Sequence, residues 1–410
     1  MIKKNIDVPD KALKLMKFGL TLEKGRVSYF PNKKVPLSLQ YLNQICLDYI
    51  LEPLKNPDNY AFVNLFAPCE ILHAAGIHPL LVEAFSSFLS GLRCEDSFID
   101  YAQNKGISES LCSYHKAFIG AAESGVLPKP RFALTSSMIC DANINTFRFA
   151  ADKYKVPCFS IDVPYEYSKE AQMYVVRQLK ELCSFIETIT GSKFDEEKLK
   201  HIIEVENQTK KYMNKYIEGL ENKYFPSTLT LQMYMLFTSH TFMGREETLK
   251  FYKMLADDIE SCGESSCKRI FWVHLLPFYH TALKEYFNLS EKYQILGYDL
   301  HFDNLECIDS QHPFEALAQK MLQNKLNGTF ERKASLITGL VDKLNPNAVI
   351  NFCHWGCRQS SGGMMILKKE MQKRGIPFLS IDGDGVDRRN SQNEQIRTRL
   401  EAFLEIIDKK

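Results

Sequence analysis

Apolar residues along this chain fall into two patterns. Short, nearly unbroken apolar runs bounded by turn residues read as strands buried on both faces. Longer stretches with apolar positions every three or four residues read as helices. AFVNLF, a helix opened by Pro68 and closed by Gly76, and HPLLV make one strand–helix–strand unit. KRIFWVHLL, FYHTALKEYF and YQILGYDL make another. Between the two, residues 168–262 carry only helical spacing, as in YVVRQLKELCSFIETI and TLKFYKMLADDIESC. The first sixty residues read as helix and loop. The closing helix, IRTRLEAFLEII, follows Ser391-x-x-Glu394, which has the form of a capping box.

An internal repeat organises these elements. RFALTSSMI leads into Cys140-Asp141-Ala142-Asn143, then the helical NTFRFAADKY and the strand-like VPCFSIDVP. NAVINF leads, a few residues on, into Cys357-Arg358-Gln359-Ser360, then GGMMILKKEMQKR and IPFLSIDGD. Both copies end in Pro-x-x-Ser-Ile-Asp, with Ser160-Ile161-Asp162 in one and Ser380-Ile381-Asp382 in the other. Strand, helix, strand is a βαβ unit. Two copies predict an α/β chain with two Rossmann-like parallel-sheet domains of about four strands each. The expected organisation is a helical N-terminal region over 1–59 and a first Rossmann-like domain over 60–167. A helical connecting segment over 168–262 and a second Rossmann-like domain over 263–410 complete it.

Composition narrows the classes of function. The 410 residues exceed one ordinary domain. Fifty-one basic against fifty acidic residues leave a net charge of +1, so neither nucleic acid nor an anionic membrane is an expected partner. MIKKNIDVPDKALKLMKFG lacks the apolar core of a secretory signal, and no run of about 18 apolar residues occurs. A cytoplasmic protein is expected, and its twelve cysteines then sit where structural disulfides are rare.

Open α/β sheets bind ligands beyond the carboxyl ends of their strands. Cys140 and Cys357 both fall there, immediately before a predicted helix, and Cys112 opens the helix CSYHKAFIGAAESG. Unpaired N–H groups and the positive end of a helix favour a thiolate, so all three thiols are expected to be acidified. Three such cysteines can converge in a cleft between the domains, and thiolates hold iron–sulfur clusters. Each can equally be a buried small hydrophobe. Zinc is the rival metal, but Cys353 and Cys357 are the only close pair at a strand end and lack a matching pair. The phosphate loop, the G-x-G-x-x-G fingerprint and the G-x-S-x-G elbow are all missing. Gly362-Gly363 can cradle a phosphate or make a plain turn. Glu70 can act as a general base or serve the dipole of its helix. His115 and His354 flank candidate ligands and can move protons or simply pack.

Cys112-Ser113-Tyr114-His115-Lys116, Cys140-Asp141, His354-Trp355-Gly356-Cys357-Arg358 through Gly363, and the closing GIPFLSIDGDGVDRRNSQNEQIRTRLEAFLEII carry a resemblance. From about residue 60 onward the chain resembles the 2-hydroxyacyl-CoA dehydratase and benzoyl-CoA reductase superfamily. The resemblance implies a dimeric assembly and a cubane 4Fe-4S cluster held between two Rossmann-like domains by Cys112, Cys140 and Cys357. In the dehydratases one iron lacks a cysteine and can take the substrate thioester carbonyl. A separate ATP-dependent iron–sulfur activator supplies one electron, and the resulting ketyl radical expels the hydroxyl group. Cys69, Cys353 and Cys307 depart from the plain dehydratase pattern. That enrichment resembles the double-cubane branch, which implies six ligands, an 8Fe-9S cluster, a homodimer and ATP-driven reduction of small molecules. Three readings therefore stand: a double-cubane reductase, which the cysteine count favours; a dehydratase subunit paired with a related one; and a non-catalytic metal-binding relative.

Overall fold

A computed structural model describes residues 1–409. Among them, eight strands form two four-stranded parallel sheets. The first contains β1 (Tyr60–Val63), β2 (His78–Leu81), β3 (Phe132–Ser136) and β4 (Cys158–Ile161) in the order β2-β1-β3-β4. The second contains β5 (Lys268–Val273), β6 (Tyr293–Tyr298), β7 (Ala348–His354) and β8 (Phe378–Gly383) in the order β6-β5-β7-β8. The two orders are identical, so the repeat read from Cys140 and Cys357 extends to whole sheets.

Burial explains the sequence pattern. Every residue of β1, β3 and β7 is buried, because helices cover both faces of the inner strands. The edge strands β4 and β8 are only partly covered and show the looser Cys-Phe-Ser-Ile and Phe-Leu-Ser-Ile patterns. Register repeats as well: Ser160 pairs with Thr135, and Ser380 pairs with Asn351. Between the sheets run the helices Lys169–Thr190, Glu196–Leu220, Leu229–His240 and Glu246–Ser261. Ahead of the first sheet, Pro9–Tyr29 and Leu37–Lys55 pack on one another. Among the described residues no helix is long and apolar enough to cross a membrane.

The loop after β8 joins the two units. Asp384 accepts hydrogen bonds from the Ser113 hydroxyl and from the N–H groups of Val386 (2.8 Å) and Asp387 (2.9 Å). Ser90 Oγ donates to the Val386 carbonyl at 3.1 Å, and Arg388 pairs with Glu95 at 2.7 Å. This loop also corrects the expected capping box. Ser391 Oγ accepts the Asp384 N–H at 2.8 Å, so it is committed to the loop. The last helix begins at Asn393 with no side-chain cap, and Glu394 pairs with Arg397 at 3.5 Å instead.

Candidate metal centre

Cys112, Cys140 and Cys357 come together from two sheets and three helix starts. Cys112 is the N-cap of the helix Ser113–Glu123. Cys140 lies four residues beyond the end of β3, in the turn before the helix Asn143–Tyr154. Cys357 follows β7 and is the N-cap of the short helix Arg358–Ser361. Cys112 feels the charge of both other thiols, and Cys140 feels that of Cys357. Two interdomain contacts hold the arrangement. Arg358 pairs with Asp141 at 2.9 Å. Gly356, at φ +74°, brings the backbone beyond β7 so close to that of Cys112 that a Cβ would lie 2.8 Å from the Cys112 nitrogen.

An imidazole faces each thiol. His354 Nε2 stands 3.1 Å from Cys112 Sγ, His115 Nε2 stands 3.3 Å from Cys140 Sγ, and His274 Nε2 stands 3.3 Å from Cys357 Sγ. All three histidines are buried. Burial pulls His115 down to about 4 and holds His274 and His354 below the usual histidine range. Lys333 adds to this effect at His274.

The expectation of acidified thiols is overturned at Cys112 and Cys140. Burial pushes Cys112 well above the ordinary thiol range, and the two neighbouring thiols push it further. Burial likewise raises Cys140 to about 12. The N–H groups of Tyr114, Ala142 and Asn143 act in the expected direction but are outweighed. Removing a thiolate from water costs more than a helix end returns.

These residues suit an iron–sulfur cluster. The donor set is sulfur alone, and N–H-bearing rings surround it. Among the described residues no three Cys, His, Asp or Glu side chains gather closely enough for one metal ion. A four-iron cubane is larger and spreads its thiolates farther apart than a tetrahedral zinc ion does.

The other sequence candidates lie elsewhere. Cys353 is buried, with its Sγ 3.2 Å from Ser380 Oγ and 3.8 Å from Met364 Sδ. Cys69 is 1% exposed in the core. Cys307 is exposed, near the Asn207 carbonyl at 3.7 Å. The polar partners of Cys353 and Cys307 are thus residues other than Cys112, Cys140 and Cys357. Gly363 lies under the Phe330 ring, which a Cβ would approach to 2.0 Å, so this glycine serves close packing. Glu70 is buried and pairs with Lys320 at 2.5 Å; Lys320 also holds Glu206 at 2.7 Å, and Glu206 pairs with Lys210 at 2.8 Å. Glu70, Lys320, His240, Asp303 and Met138 line a cavity of about 40 Å³, enough for water only.

Three residues of the site escaped the sequence reading. His274 immediately follows β5, beyond a strand end as Cys140 is. Lys333, in the helix Phe330–Leu344, reads in sequence as a solvated charge yet is 3% exposed. Glu83 follows β2 in a first helical turn, and burial raises it from 4.5 to about 7. Cys140 feels its charge.

Comparison with known proteins adds an independent line. The family described as 2-hydroxyglutaryl-CoA dehydratase, D-component, matches residues 64–407. The chain is 23% identical to the (R)-phenyllactyl-CoA dehydratase alpha subunit of Clostridium sporogenes, covering 92% of this chain and 96% of the relative. It is 24% identical to the alpha subunit of the lactoyl-CoA dehydratase of Anaerotignum propionicum, covering 83% and 89%. It is also 24% identical to a subunit of the benzoyl-CoA reductase of Thauera aromatica, covering 75% and 79%.

Proposed function

Because the chain belongs to the 2-hydroxyglutaryl-CoA dehydratase D-component family, we propose that it is the cluster-bearing subunit of a 2-hydroxyacyl-CoA dehydratase. Cys112, Cys140 and Cys357 hold one cubane. The chain is an enzyme of the superfamily that contains these dehydratases and benzoyl-CoA reductase. The observation that carries the finer reading is the grouping of three thiols, each faced by its own imidazole. The double-cubane reading needs Cys69, Cys307 and Cys353 as further ligands, and their surroundings give it no support.

Bound at these thiols, a cubane supplies one-electron chemistry at low potential, and three cysteines leave one of its four irons without a cysteine ligand. The chain's own residues do the rest. His115, His274 and His354 each turn Nε2 toward one of the sulfurs. Glu83 keeps its proton to about pH 7 beside the Cys140 side of the site, the range a group needs to give or take a proton there. A groove of about 530 Å³ runs past His354 between Lys116, Trp355 and Asp382 and offers a path for a long thioester. The relatives are themselves named as subunits, which supports pairing with a related chain. With no phosphate loop in the chain, ATP hydrolysis falls to a separate iron–sulfur activator.

The test is anaerobic turnover of 2-hydroxyacyl-CoA by the chain with its related subunit, a reduced activator and ATP. Formation of enoyl-CoA and water supports the dehydratase reading. ATP-dependent reduction of small molecules with no enoyl-CoA would return the double-cubane reading. Reduction of an aromatic acyl-CoA without water loss would favour the reductase, whose relative is likewise 24% identical to this chain, over a smaller share of it.

A further inference from the structure

The three imidazoles facing the thiols are not equivalent, and the difference lies at their second nitrogen. His354 Nδ1 accepts the Gly385 backbone N–H at 2.9 Å. His274 Nδ1 stands 3.2 Å from Lys333 Nζ, which also lies 3.3 Å from an Asp299 carboxylate oxygen and 3.1 Å from the Gln359 carbonyl. An ammonium and a backbone N–H offer donors and no acceptor. A ring nitrogen that accepts leaves the ring proton on the other nitrogen.

We propose that His274 and His354 are fixed as Nε2–H tautomers that donate to the Cys357 and Cys112 sulfurs, with Lys333 the positioning residue for His274. His115 has no such lock, because its buried Nδ1 has no partner. Cys140 therefore receives the least constrained of the three contacts. The proposal rests on the cluster reading above and goes beyond it by assigning unequal roles to the three ligand positions.

Backbone conformation supports a dedicated role for His274. It sits at φ +72°, a region disfavoured for side chains other than glycine, and is held there by its N–H donating to Asp299 at 2.6 Å. Asp299 thus fixes the His274 backbone and also pairs with the lysine that orients its ring. Hydrogen bonds to cluster sulfurs spread negative charge and favour the reduced cluster, which raises its potential.

The experiment is a redox titration of the anaerobically purified holoprotein, followed by electron paramagnetic resonance, with iron per chain measured on each sample. His274→Leu is expected to move the potential to a more negative value, and His274→Gln, which keeps an N–H donor, to restore part of the shift. Lys333→Met is expected to shift the potential in the same direction, although Lys333 touches no thiol. His115→Leu is expected to shift it least. Nitrogen couplings to the reduced cluster should weaken in His274→Leu and persist in His274→Gln. An unmoved potential in iron-replete His274→Leu and Lys333→Met overturns the proposal. If His274→Leu loses its iron, Lys333→Met alone decides in the same way. An unaltered chain without iron overturns the cluster reading instead, so the two failures are distinguishable.

Discussion

Replacing Glu83 by Gln should stabilise the iron-free chain, and more so as the solution becomes alkaline. The carboxyl is buried in the first turn after β2; its Oε1 accepts a long 3.4 Å hydrogen bond from Leu65 N–H, and its Oε2 has no close partner. Burial is the main reason that it rises from 4.5 to about 7. The fold therefore favours the protonated acid. The stability gained this way is complete below pH 4.5 and is lost as the pH climbs to about 7. Above that window the buried carboxylate costs the fold about 3 kcal/mol. At pH 5.5 the cost is about 1 kcal/mol, because the unfolded chain has ionised and the folded one has not.

Glutamine carries no charge at either pH. Its constant effect on local hydrogen bonding cancels when the gain at pH 5.5 is subtracted from the gain at pH 8.5. The difference should be about 2 kcal/mol in favour of pH 8.5. Urea unfolding followed by far-ultraviolet circular dichroism, with both chains at both pH values, measures it. An equal gain at the two pH values, or a loss that grows toward alkaline pH, refutes the account of Glu83 as a buried, proton-retaining acid.

Three further outcomes follow from particular contacts. Lys320→Met leaves Glu70 buried without its partner and should lower unfolding stability by about 3–5 kcal/mol, read by denaturant titration. Gly356→Ala forces a Cβ onto the backbone at Cys112 from a positive-φ position, so stability should drop by about 1–3 kcal/mol and iron content should fall with it. Single Cys→Ser changes at Cys112, Cys140 and Cys357 should each deplete iron, whereas the same change at Cys69, Cys307 or Cys353 should leave it intact, as elemental analysis would show.

Much of this architecture was legible because parallel sheets write themselves into local sequence. Buried inner strands such as β3 and β7 are mostly apolar, and the strand-end positions of Cys140 and Cys357 could be counted directly. The partners of those cysteines were hidden, since nothing local says that the end of β5 meets Cys357 or that the loop after β8 reaches Cys112. His274 and Lys333 join the site only once the second sheet is folded. The acidity of Cys112 and Cys140 was misread for the same reason: a helix start is visible in sequence, but the burial that overrides it is not. Ser391 shows the limit of a short motif. It has the right spacing to cap a helix, yet the tightly bonded Asp384 loop takes its hydroxyl first.

The most direct test of the central claim is iron and acid-labile sulfide per chain after strictly anaerobic purification. One cubane on Cys112, Cys140 and Cys357 predicts about four of each. About eight irons, or a chain carrying zinc or no metal, would contradict it.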